Sequence, residues 1–449
     1  MPDKKGSLFM KKLLFMLTLI LTFGLLLTGC VDNSGGDDNG GDTPPPVDNT
    51  PEVDGEWDPT DISVLSVKNG CRGIVVLIHD DGTWDTVVTL DSLYHEYGLV
   101  GDVAMLSSRV WDSSTGTAKT AELTKWLALL ETDRWKIVSH SATHTWWGTT
   151  TQNADESYTF VENEDKMYNE IVGSQQILRN LFPGQRVLTF AYPGFTTEKN
   201  YVGNAAEKIF EVIYSEKARD LLEETYISCR AGLGLELSVT SPTLHWARKY
   251  KGKVYASETA WNYFPAFGLG DSTVESGKTA KIIQNCLAQQ MAVLYVHKVV
   301  DTLTGGSNEM TTAAVRQLCE EISAKVESGE IWNAHYEDAV MYVREATSAI
   351  VKLSGDESGF TITLTDGMDD EIYNYPLTVR SRAPKEWEAV KVTQGDTVSY
   401  AVVKVIDGRY AFDVDLVPDG GVATVEPIAI SAIPAADEVT PSAPVSKNP

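Results

Sequence analysis

Short apolar runs alternate with amphipathic stretches along most of this chain. Gly73 to Ile78, Asp102 to Leu106, Lys136 to Val138 and Met291 to Val296 are apolar runs, the first and third rich in Val and Ile and bounded by turn-formers. That is the pattern of strands buried on both faces of a parallel sheet. Between them apolar residues recur at helical spacing: Leu90, Leu93, Tyr94 and Tyr97, then Leu123, Trp126, Leu127 and Leu130. Met167, Ile171, Leu178 and Leu181 mark a helix from Glu164 to Leu181 that Pro183-Gly184 stops. Further strands are predicted over Arg186 to Tyr192, Thr225 to Cys229 and Glu330 to Asn333. Further helices are predicted from about Val202 to Leu222, Ser276 to Gln290, Thr311 to Val326 and Tyr336 to Val351. Thr145 to Asn163 reads as a long polar and aromatic loop. The alternation predicts an α/β fold, a barrel-like parallel sheet ringed by helices. After Leu353 the period changes to two. Phe360 to Leu364, Leu377 to Arg380, Val390 to Thr393, Val398 to Val405, Tyr410 to Leu416 and Val422 to Val425 are separated by turns such as Asp366-Gly367, Gly395-Asp396 and Asp407-Gly408. They predict a small all-β sandwich.

The ends of the chain carry different signals. Lys11-Lys12 followed by apolar Leu13 to Leu27 has the form of a secretory signal. Leu27-Thr28-Gly29-Cys30 resembles the bacterial lipobox, which implies cleavage before Cys30 and a lipid on its sulfur. From Val31 to about Glu56 the chain is Asp, Gly, Asn, Pro and Thr, a composition that cannot bury a core. The expected organisation is a signal peptide (1–29), an acidic tether (30–56), an α/β domain (57–352), a β-sandwich module (353–431) and a disordered tail (432–449). The expected location is the bacterial cell envelope, at the outer membrane or cell surface, with the lipid as the only membrane contact.

Charge narrows the partners. A formal net charge of −26 argues against nucleic acid or an anionic membrane surface, and is compatible with neutral or cationic sugars. Besides Cys30 there are Cys71, Cys229, Cys286 and Cys319, with no CxxC pair and no framework spacing, so burial as small apolar side chains is expected.

Two of the strand runs end in groups that carry chemistry. The first leads into His79-Asp80-Asp81-Gly82 and the third into Ser139-His140-Ser141-Ala142-Thr143-His144. Carboxyl ends of parallel strands are where such sheets hold their active sites. Two His and one Asp make a three-ligand set for Zn²⁺ with a fourth position open, and the second Asp is free to act as a base. This points to a metal-dependent hydrolase.

The residues resemble the polysaccharide deacetylases, carbohydrate esterase family 4 with the NodB homology domain. Leu77-Ile78-His79-Asp80-Asp81-Gly82 is similar to the family's first motif, and His140-Ser141-Ala142-Thr143-His144 to the second. Phe190-Ala191-Tyr192-Pro193-Gly194 resembles the third, and Val293-Leu294-Tyr295-Val296-His297 the last, all in family order. The resemblance implies a distorted (β/α)7-type barrel and removal of acetyl groups, N- or O-linked, from an acetylated glycan. It implies that Asp81, His140 and His144 bind Zn²⁺ or another divalent metal such as Co²⁺, Ni²⁺ or Mn²⁺. It further implies Asp80 as base, His297 as acid and a Gly194 backbone N–H facing the oxyanion. In two places the chain departs from the family. Ala191 stands where the family has an Arg that holds the catalytic Asp, and Arg230 at the end of the next strand is the candidate replacement. Gly194-Phe195 stands where a bulky residue followed by Gly is common.

His79, His95, His245 and His335 match no motif and are read as packing or surface residues. Trp111, Trp146, Trp147, Trp261 and Tyr263 have faces suited to sugar rings, and core packing suits each of them equally. Two other functions stay open: hydrolysis of a different small C–N bond on the same fold, and a non-catalytic glycan-binding lipoprotein. Sequence does not address the oligomeric state.

Overall fold

The structure is a computed structural model that describes residues 57–434, apart from 146, 153, 155–157, 194–215, 232–236, 239–246, 251–252, 257–259 and 307. The signal, Cys30, the tether and most of the tail therefore lie outside the described residues, as does Gly194. Among the described residues no helix is long and apolar enough to cross a membrane.

A short strand, β1 (Ile62–Val64), precedes β2 (Gly73–Asp80), and every residue of β2 is buried. The sheet continues through β3 (Gly101–Met105), β4 (Trp135–Ser139), β5 (Thr189–Ala191), β6 (Ser228–Arg230) and β7 (Gln290–Val296). Its order is β6-β5-β4-β3-β2-β7, all parallel, with Leu237–Ser238 antiparallel beyond β7. The sheet curls. Phe264 bonds to β6 through Cys229 and Ala231, and Phe267–Gly268 pairs with β7, so one segment reaches both flanks. Strand β8 (Ile331–Asn333) pairs with the first residues of β2.

Helices cover the sheet. α1 (Trp84–Glu96) buries Val87, Leu90, Leu93 and Tyr94 and ends before Gly98, which takes φ +62°. α2 (Thr120–Leu130) buries Trp126 and Leu129, while Leu127, placed on the inner stripe by spacing alone, is exposed. α3 (164–181) starts at an Asn163 cap whose side chain accepts from Lys166 N and contains a π-helical turn, Asn169–Gly173. Next come α4 (Glu216–Thr225), α5 (Lys278–Cys286), α6 (Thr312–Glu327) and α7 (Tyr336–Ser348).

The C-terminal part forms two antiparallel sheets. One is β9 (Ile350–Asp356), β10 (Gly359–Thr365), β16 (Ala423–Ile428), β12 (Ala389–Gln394) and β13 (Thr397–Val402), in that spatial order. The other is β1, β11 (Leu377–Arg382), β15 (Arg409–Leu416) and β14 (Lys404–Ile406). Phe360, Ile362, Val390 and Val425 of the first share one buried cluster with Leu377, Val379, Phe412 and Val414 of the second.

Several expectations need correction. The predicted loop from Thr145 to Asn163 contains an antiparallel hairpin, Gly148–Gln152 with Tyr158–Glu162. Its threonine-rich arms pair through backbone groups, which apolar periodicity does not report. The expected strand Val398 to Val405 is two strands, because the chain changes sheets at Val403, whose N–H bonds Glu388 O. α7 stops at Ser348, three residues before the predicted end, and its last residues are followed by β9. α5 runs from Lys278 to Cys286, inside the expected Ser276 to Gln290, with Gly277 at φ +69° before it. The part of the expected Val202 to Leu222 helix before residue 216 lies outside the described residues. A linear division at 352/353 does not follow the pairing either: β1 pairs with β11, and Trp57 stacks on Phe360 at 5.8 Å.

Candidate metal and catalytic site

The parallel strands deliver their last residues to one edge. β2 ends in His79-Asp80, β4 runs into His140, β6 ends in Arg230 and β7 runs into His297. Beyond β2 the chain turns at Asp81 (φ +70°) and Gly82 (φ +58°). The Asp81 carbonyl accepts from Arg109 Nε at 2.9 Å.

Asp81, His140 and His144 come together. Asp81 Oδ1 lies 3.6 Å from His140 Nε2 and 3.4 Å from His144 Nε2. One ligand atom from each of the three falls within 4.8 Å of the others. Both Nε2 atoms are buried and have no hydrogen-bond partner. Buried orphan lone pairs are costly, and a cation between them removes the cost. Tetrahedral ligands at Zn²⁺ distances stand about 3.4 Å apart, so these separations fit a divalent ion. His140 Nδ1 meets the Ala191 carbonyl at 2.8 Å, which places the ring proton on Nδ1 and frees Nε2 as a ligand atom. Burial lowers the His144 pKa, reinforced by the neighbouring His140, and keeps that ring neutral. Burial works against an ionised Asp81, yet His140 facing it, with His144 and His297 nearby, takes its carboxyl well below the usual range.

Asp80 sits beside this set and is 2% exposed. Burial would raise its pKa, and the Arg230 guanidinium more than offsets that, leaving it lowered. Arg230 Nη2 donates to Asp80 Oδ1. In the parallel register Arg230 is the partner of Ala191, so the cation comes from the neighbouring strand. The guanidinium also lies 4.5 Å from the centre of the Tyr295 ring. The other oxygen, Asp80 Oδ2, is 3.8 Å from His297 Nε2. The side-chain amide of Asn308 lies 3.2 Å from His297 Nδ1 and fixes the ring with Nε2 toward Asp80.

Three residues at the site had no assigned role in the sequence. His79 is 1% exposed; its Nε2 accepts the Thr83 N–H at 3.0 Å, and its Nδ1 donates to Val296 O at 3.3 Å. Burial takes its pKa down to about 4, so it stays neutral and ties the turn after β2 to the end of β7. A histidine opening the Asp80-Asp81 motif was the available signal. The second is Asn308 and the third Glu170, neither marked by any motif.

Of the remaining candidates, His335 is buried and bonds Asp102 Oδ1 at 2.8 Å, while His95 is exposed. Trp147 belongs to a buried cluster, and Trp261 stacks on Phe264 at 5.7 Å. Trp111 is half-buried. Trp146, His245 and the Tyr263 side chain lie outside the described set. Cys229, Cys286 and Cys319 are buried and Cys71 is half-buried.

No family model matches the chain. A gellan lyase from a Bacillus species is 35% identical over 105 residues, which is 23% of this chain. The chain spans 4% of that relative's length. Solved structures similar to the chain include a family 4 carbohydrate esterase from Streptomyces lividans, at 13% identity over 59% of this chain and 93% of that one, with a TM-score of 0.29. The catalytic domain of a peptidoglycan N-acetylglucosamine deacetylase from Eubacterium rectale shares 12% identity over 62% and 95%, with a TM-score of 0.30. A family 4 acetyl xylan esterase from Clostridium thermocellum with a cobalt ion shares 11% over 59% and 89%, with a TM-score of 0.31.

Proposed function

We propose that this chain is a metal-dependent hydrolase that removes N- or O-linked acetyl groups from a glycan, on a curled sheet read as a distorted (β/α)7-type barrel. One observation carries the reading: two buried, unpartnered imidazole nitrogens and a carboxylate face one point, next to a second carboxylate held by an arginine and flanked by a third histidine. Binding alone needs neither the held carboxylate nor the flanking histidine.

Asp81, His140 and His144 would hold the cation, Zn²⁺ or another divalent transition metal. Such an ion, when bound, makes water more acidic and polarises a carbonyl. Asp80 takes the proton at Oδ2, the oxygen that Arg230 leaves free. His297, with Nε2 3.8 Å from Asp80 Oδ2, acts as the acid in its imidazolium form, giving the Nε2 proton to the departing oxygen or nitrogen and becoming a neutral ring. His79, tied to Thr83 and Val296, keeps the Asp80-Asp81 turn and the His297 strand in register. Gly194, which the family resemblance pairs with the carbonyl oxygen, is outside the described residues. We place the protein at the cell envelope through a lipid on Cys30.

The test is acetate release from acetylated xylan, chitooligosaccharides and peptidoglycan, with metal-loaded and chelator-treated protein. Release from at least one substrate, lost with chelator and restored by Zn²⁺ or Co²⁺, is expected. Metal-loaded protein that frees no acetate from any of the three overturns the reading.

A further inference from the structure

The segment from His140 to His144 carries two of the three candidate ligands in an unfavourable backbone conformation. Ser141 has φ +70° and His144 has φ +62°, and neither is glycine. Left-handed geometry is unfavourable for an L-residue, so it persists only where the surroundings over-determine it. Here the segment is held from two sides. Its carbonyls at Ser141 and Ala142 accept from Ser107 N (3.2 Å) and Ser108 N (3.0 Å), in the chain just past β3.

Its N–H groups go elsewhere. Glu170 is 4% exposed and sits in the π-helical turn of α3, a distortion often found at functional sites. Glu170 Oε2 accepts from Ala142 N at 3.0 Å and Thr143 N at 2.9 Å. Its Oε1 accepts from the hydroxyls of Thr143 and of Thr145, the latter at 3.2 Å. Among the described residues no Lys or Arg forms an ion pair with it. Three of the four donors come from the ligand-bearing segment, and the fourth, Thr145, is the residue that follows it. The carboxylate is thus fully engaged in shaping that segment, and deleting it leaves two backbone N–H groups without partners.

We infer that Glu170 is a positioning residue that pre-sets the His140–His144 segment for metal, and that metal affinity depends on it although it touches neither metal nor substrate. The inference rests on the proposed metal site. Loss of such outer support typically weakens metal binding by about 10- to 100-fold.

The test uses the full chain. Zn²⁺ affinity is measured by competition with a chromophoric chelator for wild type, Glu170→Ala, Glu170→Asp and Glu170→Gln, beside the melting temperature of each metal-free protein. The Gln amide can offer its oxygen to both N–H groups and its NH₂ to both hydroxyls, which turn to accept. Glu170→Ala, and Glu170→Asp with its carboxylate pulled back, should bind Zn²⁺ about 10- to 100-fold more weakly. Glu170→Gln should recover most of the affinity. A folded Ala or Asp variant with wild-type affinity overturns the inference; if Ala does not fold, Asp decides. Wild-type protein that binds no Zn²⁺ overturns the proposed metal site instead.

Discussion

A carboxylate as deeply buried as Asp80 stays ionised only when a fixed cation faces it, and Arg230 supplies one that is itself 3% exposed. The planar fork matters as well as the charge. Nη2 holds Asp80 Oδ1 while the guanidinium lies over Tyr295, an arrangement a lysine ammonium cannot reproduce. Arg230→Lys should therefore lower kcat by about 10- to 100-fold, the worth of one charge-assisted hydrogen bond at about 1.5–3 kcal/mol. Bound metal should stay at the wild-type level, because Arg230 contacts none of the three ligands. Initial rates beside metal stoichiometry check this, and wild-type turnover would remove Arg230 from the mechanism. Asp80, Asp81, His140 and His297 were legible because each follows an apolar run, so residue type and strand end coincide in the sequence. Arg230 was legible for the same reason, once Ala191 left the neighbouring position without a cation. Glu170 was not, since it acts through backbone N–H groups that no side-chain pattern reports. Asn308 reaches His297 from the far arm of a paired loop, Lys298–Val300 with Glu309–Thr311, and no spacing rule connects the two.

Most elements with one apolar period read correctly, and elements defined by tertiary contact did not. Of the expected strands, Arg186 to Tyr192 shrinks to Thr189–Ala191, and Thr225 to Cys229 shifts to Ser228–Arg230 because Thr225 closes α4. β2 is a continuous Val and Ile run because β7 lies along one edge, β8 and β3 share the other, and both faces are covered. The hairpin inside 148–162 and the sheet change at Val403 depend instead on partners distant in sequence or on a backbone turn, and neither disturbs the polar pattern. The π turn in α3 inserts without altering the spacing of Met167 and Ile171, so a plain helix was the natural reading. One short-range feature at this scale has a sharp consequence. Gly73 opens β2 where a Cβ would stand 2.1 Å from the carbonyl oxygen of Cys286, the last residue of α5. Backbone on backbone cannot yield as a side-chain tip can. Gly73→Ala should push α5 away from the sheet and destabilise the fold by about 1–3 kcal/mol, seen as a lower urea midpoint. An unchanged midpoint would mean that α5 is less firmly seated than its buried Ile282, Ile283 and Cys286 imply.

At the scale of the whole molecule, α7 joins the parallel sheet to the C-terminal sheets. Tyr342, on this helix, belongs to the buried cluster of those sheets and donates to Leu65 O at 2.9 Å. On the same helix Glu345 is fully buried, and its carboxylate takes the Tyr375 N–H at 3.0 and 3.2 Å. Burial raises its pKa to about 8, the Tyr375 N–H opposes the shift, and Asp366 and Asp370 add to it. Unfolded, the same carboxyl titrates near 4.5. Between these values the folded chain holds one proton more than the unfolded chain, so stability falls as pH rises. The contribution is complete below about 4.5 and is lost as pH passes about 8. His335 tilts the curve the same way: burial lowers its pKa, and Asp102 at 2.8 Å more than reverses this. Its stabilisation is whole below 6.5 and is lost as pH rises through its raised value. Urea midpoints at pH 5, 6.5 and 8.5 should fall for the wild type. Glu345→Gln, uncharged throughout and still able to accept from Tyr375, should flatten the lower part of that fall and keep the part above 6.5 that belongs to His335. If the variant keeps the full wild-type slope from pH 5 to 6.5, Glu345 is already ionised in the folded chain, and the joint between the two parts is wetter than its burial indicates.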